Sequence, residues 1–292
     1  MRILIIGGSG MLGHQLWRQL HARHETWVTL RRPAAFFKSS GLFETQRVIQ
    51  DFDAAHTVSL LAAFAKAKPE VVINCAAVLN KTNDQESALQ ALRINGVLPH
   101  ELARLCALAN ARLIHISTDG VFSGKKGNYQ ETDVADATDF YGKTKSLGEV
   151  IAPHCLVVRT CIIGRELGDG NSLLEWFLGQ EGQTIKGFKH AIFTGVTTVA
   201  LARILEELVV RWPELSGLYH IAGGPISKFD LLCSAKRAFK WNGIIYPEEN
   251  FRCNRSLDSG KFTMRTGFVA PLWEEMLAEL VAATGKQDLR RV

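Results

Sequence analysis

The 292-residue sequence contains no apolar run approaching the roughly 18 residues that a membrane-spanning helix needs. Its six cysteines, at positions 75, 106, 155, 161, 233 and 253, form no C-x-x-C pair and sit mostly inside apolar segments. A disulfide framework is therefore not expected, and reduced, buried thiols in a cytoplasmic protein are. The nine histidines show no metal-ligand grouping. His21 and His24 share a helical face, but no carboxylate or cysteine completes a site, so no catalytic metal is expected. Clustered positive charge is also missing. The net charge is +5, and Arg31-Arg32 and Lys125-Lys126 are isolated pairs rather than a stripe. Nucleic acid is excluded as a partner on that ground, and a small anionic ligand accounts for the pairs. The apolar start, Met1 to Gly7, is too short for a secretory signal and reads as a buried strand.

What is present is ordinary for a globular protein: 47% hydrophobic and 22% charged residues. Short β-branched runs at residues 3–6, 26–30, 48–49, 71–74, 112–117 and 156–159 are continuous rather than alternating, as parallel strands covered on both faces would be. Helical patterns at 11–20, 58–67, 86–109 and 141–151 fall between and after them. This alternation predicts an α/β fold with a doubly wound parallel sheet. Beyond residue 164 the rhythm changes. Helices are expected at 172–178, 199–212, 228–239 and 271–283, and one more strand at 218–222. Residues 1–164 and 196–222 are assigned to a Rossmann-type sheet domain, and 165–195 and 223–292 to a smaller α/β substrate lobe.

Gly7, Gly10 and Gly13 give G-x-x-G-x-x-G directly after the first strand and at the start of the first helix. Glycines there permit a tight turn and close approach of a pyrophosphate, and the helix start offers free N–H groups and a partial positive charge. Dinucleotide binding follows. The second strand ends Thr29-Leu30-Arg31-Arg32 without the carboxylate that holds a ribose 2′-hydroxyl. Arginines there suit a 2′-phosphate, so NADPH is favoured and NADH remains allowed. Asp51 after the third strand can accept from adenine, and the small residues Cys75, Ala76 and Ala77 after the fourth leave room for nicotinamide and ribose.

Tyr141 and Lys145 form Y-x-x-x-K, one turn apart on one helical face. A nearby ammonium favours phenolate and fits tyrosine for acid–base work. Upstream, Ser117-Thr118-Asp119 ends the fifth strand with hydroxyls that can share a carbonyl oxygen with the phenol. His115 in that strand reads as a satisfied core residue.

Together the stretches 6–13, 117–124 and 141–145 resemble the extended short-chain dehydrogenase/reductases, and most closely the dTDP-4-dehydrorhamnose reductase family. Asn95, Arg159-Thr160 and Arg255-Ser256-Leu257-Asp258 are weaker echoes. The resemblance implies a triad of Thr118, Tyr141 and Lys145. It also implies hydride transfer to the 4-keto group of a nucleotide-diphosphate 6-deoxyhexose, in the synthesis of surface polysaccharide precursors. The cofactor set expected is Gly7, Gly10, Met11, Leu12, Gly13, Arg31, Arg32, Asp51, Phe52, Cys75, Ala76, Ala77, Asn95, Ser117, Tyr141 and Lys145. Asp119, Val121, Thr194 and Arg255 are expected at the substrate, with Arg255 on its phosphates. A homodimer is allowed. Gly120 departs from the family, which has tyrosine there, so the sugar or its carrier can differ. A 4,6-dehydratase is disfavoured because Gly120 stands where those enzymes carry glutamate. A sugar-nucleotide epimerase and a non-catalytic regulatory subunit resembling the β subunit of methionine adenosyltransferase are the alternatives.

Overall fold

The computed structural model describes residues 1–79, 84–168, 170 and 172–284; residues 169, 171 and 285–292 of the expected lobe lie outside the described residues. The chain divides into two compact units. One comprises Met1–Val121, Ala135–Arg159 and Ala202–Tyr219; the other comprises Phe122–Val134, Thr160–Leu201 and the chain from His220 onward.

The first unit is built on a seven-stranded sheet. Numbered along the chain, its strands are β1 (Arg2–Ile6), β2 (Glu25–Thr29), β3 (Val48–Ile49), β4 (Val71–Asn74), β5 (Arg112–Ile116), β6 (Cys155–Arg159) and β10 (Gly217–His220). The order is β10-β6-β5-β4-β1-β2-β3, and the pairs from β3 across to β6 are parallel. Ile3, Leu4, Ile5 and Ile6 are all fully buried, which is why β1 reads as an unbroken apolar run and sits at the sheet's centre. On one face, Leu4, Ile6, Val72 and Leu113 pack with Leu60 and Phe64 of α2 (Thr57–Ala67) and with Leu98 and Leu102 of α4 (Leu98–Leu108). Each such side chain contributes about 1.5–3 kcal/mol. The strand order changes direction between β1 and β4. That switch point is where open α/β sheets bind ligands, outside the strands' carboxyl ends.

The helix expected at 86–109 is interrupted. It consists of α3 (Gln85–Ala91), a π-helical turn at Leu92–Val97, and α4. Pro99 lies in the first turn of α4. It has no N–H for the carbonyl of Asn95, and its ring would crowd that carbonyl in a regular helix, so the widened turn relieves both conflicts. The helix expected at 141–151 stops sooner, as α5 (Phe140–Leu147), with Gly148 as its cap. A Cβ at position 148 would overlap the Asn95 carbonyl oxygen.

The second unit holds a short parallel pair, β7 (Ile162–Ile163) with β9 (Val196–Thr197), and a three-stranded sheet. In that sheet β8 (Thr184–Phe193) is central, parallel to β12 (Ile244–Asn254) and antiparallel to β11 (Ile226–Ser227). Helix α8 (Lys228–Phe239) packs on β8, and α10 (Trp273–Ala283) packs on α8. The described residues also form α6 (Leu173–Leu178), α7 (Thr198–Val210) and α9 (Gly260–Thr266). Sequence patterning did not foresee β8 and β12. Polar residues break the apolar pattern of β8, leaving Ile185, Ala191 and Phe193 as its buried side chains. Pro247-Glu248-Glu249-Asn250 reads as a turn, yet lies in an edge strand, where proline is tolerated, next to a register shift between Glu248 and Arg252.

Candidate active site

The glycine turn between β1 and α1 (Gly13–Leu20) is shaped by close backbone approaches. Gly7 has φ +84°, and a Cβ there would stand 2.9 Å from the Ala76 nitrogen. A Cβ on Gly13 would overlap the Gly7 carbonyl oxygen. Thr29 at the end of β2 secures the turn: its hydroxyl accepts from Gly7 N–H at 3.1 Å, and its carbonyl accepts from Gly8 N–H at 2.9 Å. Beside the turn opens a cavity of about 280 Å³.

Of the residues expected at a dinucleotide, Gly7, Gly10, Arg31, Phe52, Cys75, Ala76 and Ala77 line this cavity. The remaining wall comes from Ser9, Thr29, Asp53, Ala54, Val78, Gln90 and Ile94, which sequence reasoning passed over. Ser9 and Thr29 were findable, since they lie within the glycine motif and at the end of the second strand. Gln90 and Ile94 were not, because only the π turn and its surroundings bring them there. Met11, Leu12, Gly13, Arg32, Asp51, Asn95, Ser117, Tyr141 and Lys145 are not part of the wall. The Arg32 guanidinium instead lies over the Phe36 ring, 4.2 Å from its centroid. Asp51 adopts a left-handed backbone, φ 53°. The Asp53 carboxyl is held below its ordinary value, first by the N–H of Ala55 and, against a desolvation cost, by His56 and Arg31. Asn95 is fully buried and works as a clamp. Its amide accepts from Val78 N–H at 2.9 Å, donates to Val78 O at 2.8 Å and donates to Thr144 Oγ1 at 3.1 Å.

Helix α5 carries Tyr141 and Lys145. Its start is capped by Asp139, whose Oδ1 accepts from Gly142 N–H at 2.8 Å. Gly142 lets the helix reach the Thr118–Val121 segment, because a Cβ there would overlap the Gly120 carbonyl oxygen. Lys145 is 1% exposed, and its Nζ donates to the Ile116 carbonyl at 2.7 Å. Burial brings its pKa down to about 8, against the attraction of Glu149 and Cys75. Cys75 is a wall residue of the cavity. Burial also pushes the Cys75 thiol up to about 12.

Thr118 Oγ1 accepts from Gly120 N–H at 3.0 Å and donates to Asp119 Oδ1 at 3.2 Å. A Cβ on Gly120 would lie 3.2 Å from that hydroxyl oxygen and 3.7 Å from Cδ1 of Tyr141. Thr118 and Tyr141 therefore flank one backbone position that has no side chain of its own. Ser117 points elsewhere: its hydroxyl donates to Glu149 Oε1 at 2.6 Å. Asp119 and Val121 are buried.

The second unit carries the other two expected residues. Thr194 is buried, and its Oγ1 accepts from Leu257 N–H at 2.8 Å. Arg255 directly follows β12 and is anchored by its N–H on Ile192 O at 2.9 Å. In this unit Phe122 and Tyr129 stack at 4.0 Å, and the Tyr129 hydroxyl accepts from the N–H groups of Gly124 and Lys126, each at 3.1 Å. The segment that follows Thr118–Val121 in sequence is thereby held in a fixed turn.

The RmlD substrate binding domain family matches residues 1–285. The chain belongs to that family. Among relatives, a dTDP-4-dehydrorhamnose reductase of Mycolicibacterium smegmatis is 35% identical over 97% of this chain and 85% of its own length. Methionine adenosyltransferase 2 subunit beta of Xenopus tropicalis is 27% identical over 82% of this chain and 72% of its own. A solved dTDP-4-dehydrorhamnose reductase of Bacillus anthracis, in complex with NADP, has the same fold, with a TM-score of 0.80 at 21% identity, covering 97% of this chain and 99% of that one. Family membership agrees with the α/β, Rossmann-type architecture read from the sequence. Among the described residues, no helix is long and apolar enough to cross a membrane, and no group of His, Cys, Asp and Glu could hold a metal.

Proposed function

We propose that the chain is an NADPH-dependent reductase of a nucleotide-linked 4-keto-6-deoxy sugar, working in the cytoplasm on precursors of surface polysaccharides. The observation that carries the reading is the buried Lys145. It is tied to Ile116 O at 2.7 Å, on the helix whose Tyr141 flanks Gly120 opposite Thr118. The cavity beside the glycine turn suits the dinucleotide: Gly7 and Gly10 line it, and the turn itself depends on close backbone approaches that a side chain on Gly7 or Gly13 would prevent. Arg31 in its wall offers a cation for a 2′-phosphate. The NADP complex of the solved Bacillus anthracis relative supports this choice.

When bound, NADPH supplies the hydride that goes to the sugar's keto carbon. Tyr141 gives its phenolic proton to the keto oxygen, so the C=O becomes an alcohol. Lys145 stabilises the phenolate that remains, and Thr118 donates to the same oxygen as its charge develops. In the second unit, Arg255 is assigned to the diphosphate, with Thr194 lining the approach. Asp119 and Val121 shape the sugar end of the site. Gly120 leaves open the place beside Tyr141 that a tyrosine side chain would take. The enzyme acts alone or as a homodimer.

The test is NADPH oxidation across a panel of nucleotide-linked 4-keto sugars. Turnover of at least one, with NADPH preferred over NADH, is expected. A second reading, a non-catalytic subunit, is favoured by the likeness to methionine adenosyltransferase 2 subunit beta. A stoichiometric complex with a partner enzyme, and no oxidation of NADPH on any sugar of the panel, would establish it instead.

A further inference from the structure

His115 is fully buried in the middle of the first unit, between two polar side chains. On one side Asn74 Nδ2 lies 3.1 Å from its Nδ1; on the other, Lys145 Nζ lies 3.5 Å from its Nε2. The Asn74 amide cannot be turned over freely, because its Oδ1 accepts from Ala76 N–H at 3.1 Å. Its NH₂ therefore faces the imidazole, and Nδ1 must be the acceptor. Burial holds the ring neutral, pushing its pKa well down, with Lys145 and His100 adding to the effect. A neutral ring with a bare Nδ1 carries its proton on Nε2, aimed at Lys145. An ammonium has no lone pair to receive that N–H; an amine has one.

We propose that His115 is a positioning residue of the reductase: locked by Asn74 with its proton on Nε2, it opposes the ammonium of Lys145 and favours the amine. The inference rests on the assignment of Lys145 above, but not on the identity of the sugar. Its consequence is that Lys145 is a group able to release its proton to the Tyr141 phenolate, not a fixed charge. In that step a Lys145 N–H bond breaks, the Tyr141 O–H bond re-forms, and the Nε2–H of His115 then has a lone pair to meet. Other groups face Lys145 as well. Glu149, just after α5, favours the ammonium; Cys75, after β4, is held as a neutral thiol, its pKa pushed up to about 12; and Tyr141 is one turn back on its own helix. His115 on β5 is the neighbour with a donor directed at it.

The experiment is a pH titration of the Lys145 ¹³Cε signal by NMR in the free protein, assigned by its loss in Lys145→Arg and needing no substrate. Two variants are compared with the parent. His115→Phe removes the opposing N–H. Asn74→Asp keeps an acceptor for Ala76 N–H but draws the ring proton to Nδ1, turning a lone pair toward Lys145. In both, Lys145 should keep its proton to higher pH, moving from about 8 toward the ordinary 10.5 by about one unit or more, and the alkaline limb of kcat/KM should move with it. In His115→Phe, a packing role alone would shift melting temperature and leave the Lys145 titration in place; Asn74→Asp adds a carboxylate that favours the ammonium by itself, so there the readout is the ring proton moving to Nδ1. If His115→Phe fails to fold, the ¹³C shifts of the parent His115 ring decide. A parent ring protonated on Nδ1, or a Lys145 titration unmoved by His115→Phe, overturns the proposal. Loss of turnover on every sugar with these NMR results intact would instead remove the reductase reading.

Discussion

Ser117 donates its hydroxyl to Glu149 at 2.6 Å, and the same carboxylate takes two hydrogen bonds from Arg159, at 2.8 and 2.7 Å. The Arg159 and Glu149 side chains are only 5% and 8% exposed. The pair ties the end of β6 to the segment after α5. Removing one partner leaves the other charge buried. Glu149→Ala is therefore expected to cost about 3–5 kcal/mol in urea denaturation. A loss below about 1 kcal/mol would mean the pair is solvated and does not brace the site.

Arg31 and Arg32 are adjacent in sequence but differ in setting. Arg31 lines the cavity, while Arg32 lies over Phe36. Arg31→Ala should weaken NADPH by about 10–100-fold, the worth of a charge-assisted hydrogen bond, and leave NADH nearly unchanged. Arg32→Ala should do less to either. Fluorescence titration of both cofactors checks this; equal losses for NADPH and NADH would remove the 2′-phosphate assignment.

Gly13→Ala inserts a methyl group where the Gly7 carbonyl oxygen stands. The expected cost is about 1–3 kcal/mol in stability, together with loss of dinucleotide binding. Gly41→Ala is a suitable control. Its φ of +62° is strained for alanine, but nothing lies within 4 Å, so stability alone should fall. Calorimetry of both variants with NADPH separates the effects, and undiminished binding by Gly13→Ala would contradict the role of the turn.

Lys145 is protonated less readily in the folded chain, at about 8, than in the unfolded chain, at 10.5. Between these values the unfolded state binds more protons, so this group's contribution to stability rises with pH. Its burial cost is fully present below pH 8 and is relieved by about pH 10.5. Lys145→Met lacks that cost. Its stability relative to the parent should be highest near pH 7 and shrink by on the order of 3 kcal/mol by pH 10.5. Denaturation curves across that window would show it, and a pH-independent difference would mean the ammonium is not buried.

The central sheet was legible in the sequence because β1, β4 and β6 are built on short, unbroken apolar runs, because β5 departs from that pattern inside the strand only at His115, and because three glycines mark the first turn. The Tyr141–Lys145 pair stood out not by its spacing alone but by its place after the hydroxyl-rich end of the fifth strand. The clamp role of Asn95 was hidden, since it depends on the π turn that Pro99 imposes. The commitments of Ser117 to Glu149 and of Thr194 to Leu257 were hidden too, because both partners are remote in sequence. His115 showed the same limit: the sequence marked it as a core residue, and only the fold brings Asn74 and Lys145 to its two nitrogens.

The most direct test of the reductase reading uses Tyr141→Phe, with NADPH binding and NADPH oxidation measured side by side on the best keto-sugar nucleotide of the panel. The phenyl ring fills the same space, so NADPH affinity should stay within about twofold. Oxidation should fall by about 10²–10⁴, the worth of a positioned proton donor. Undiminished oxidation by this variant would show that the proton comes from elsewhere and would overturn the account.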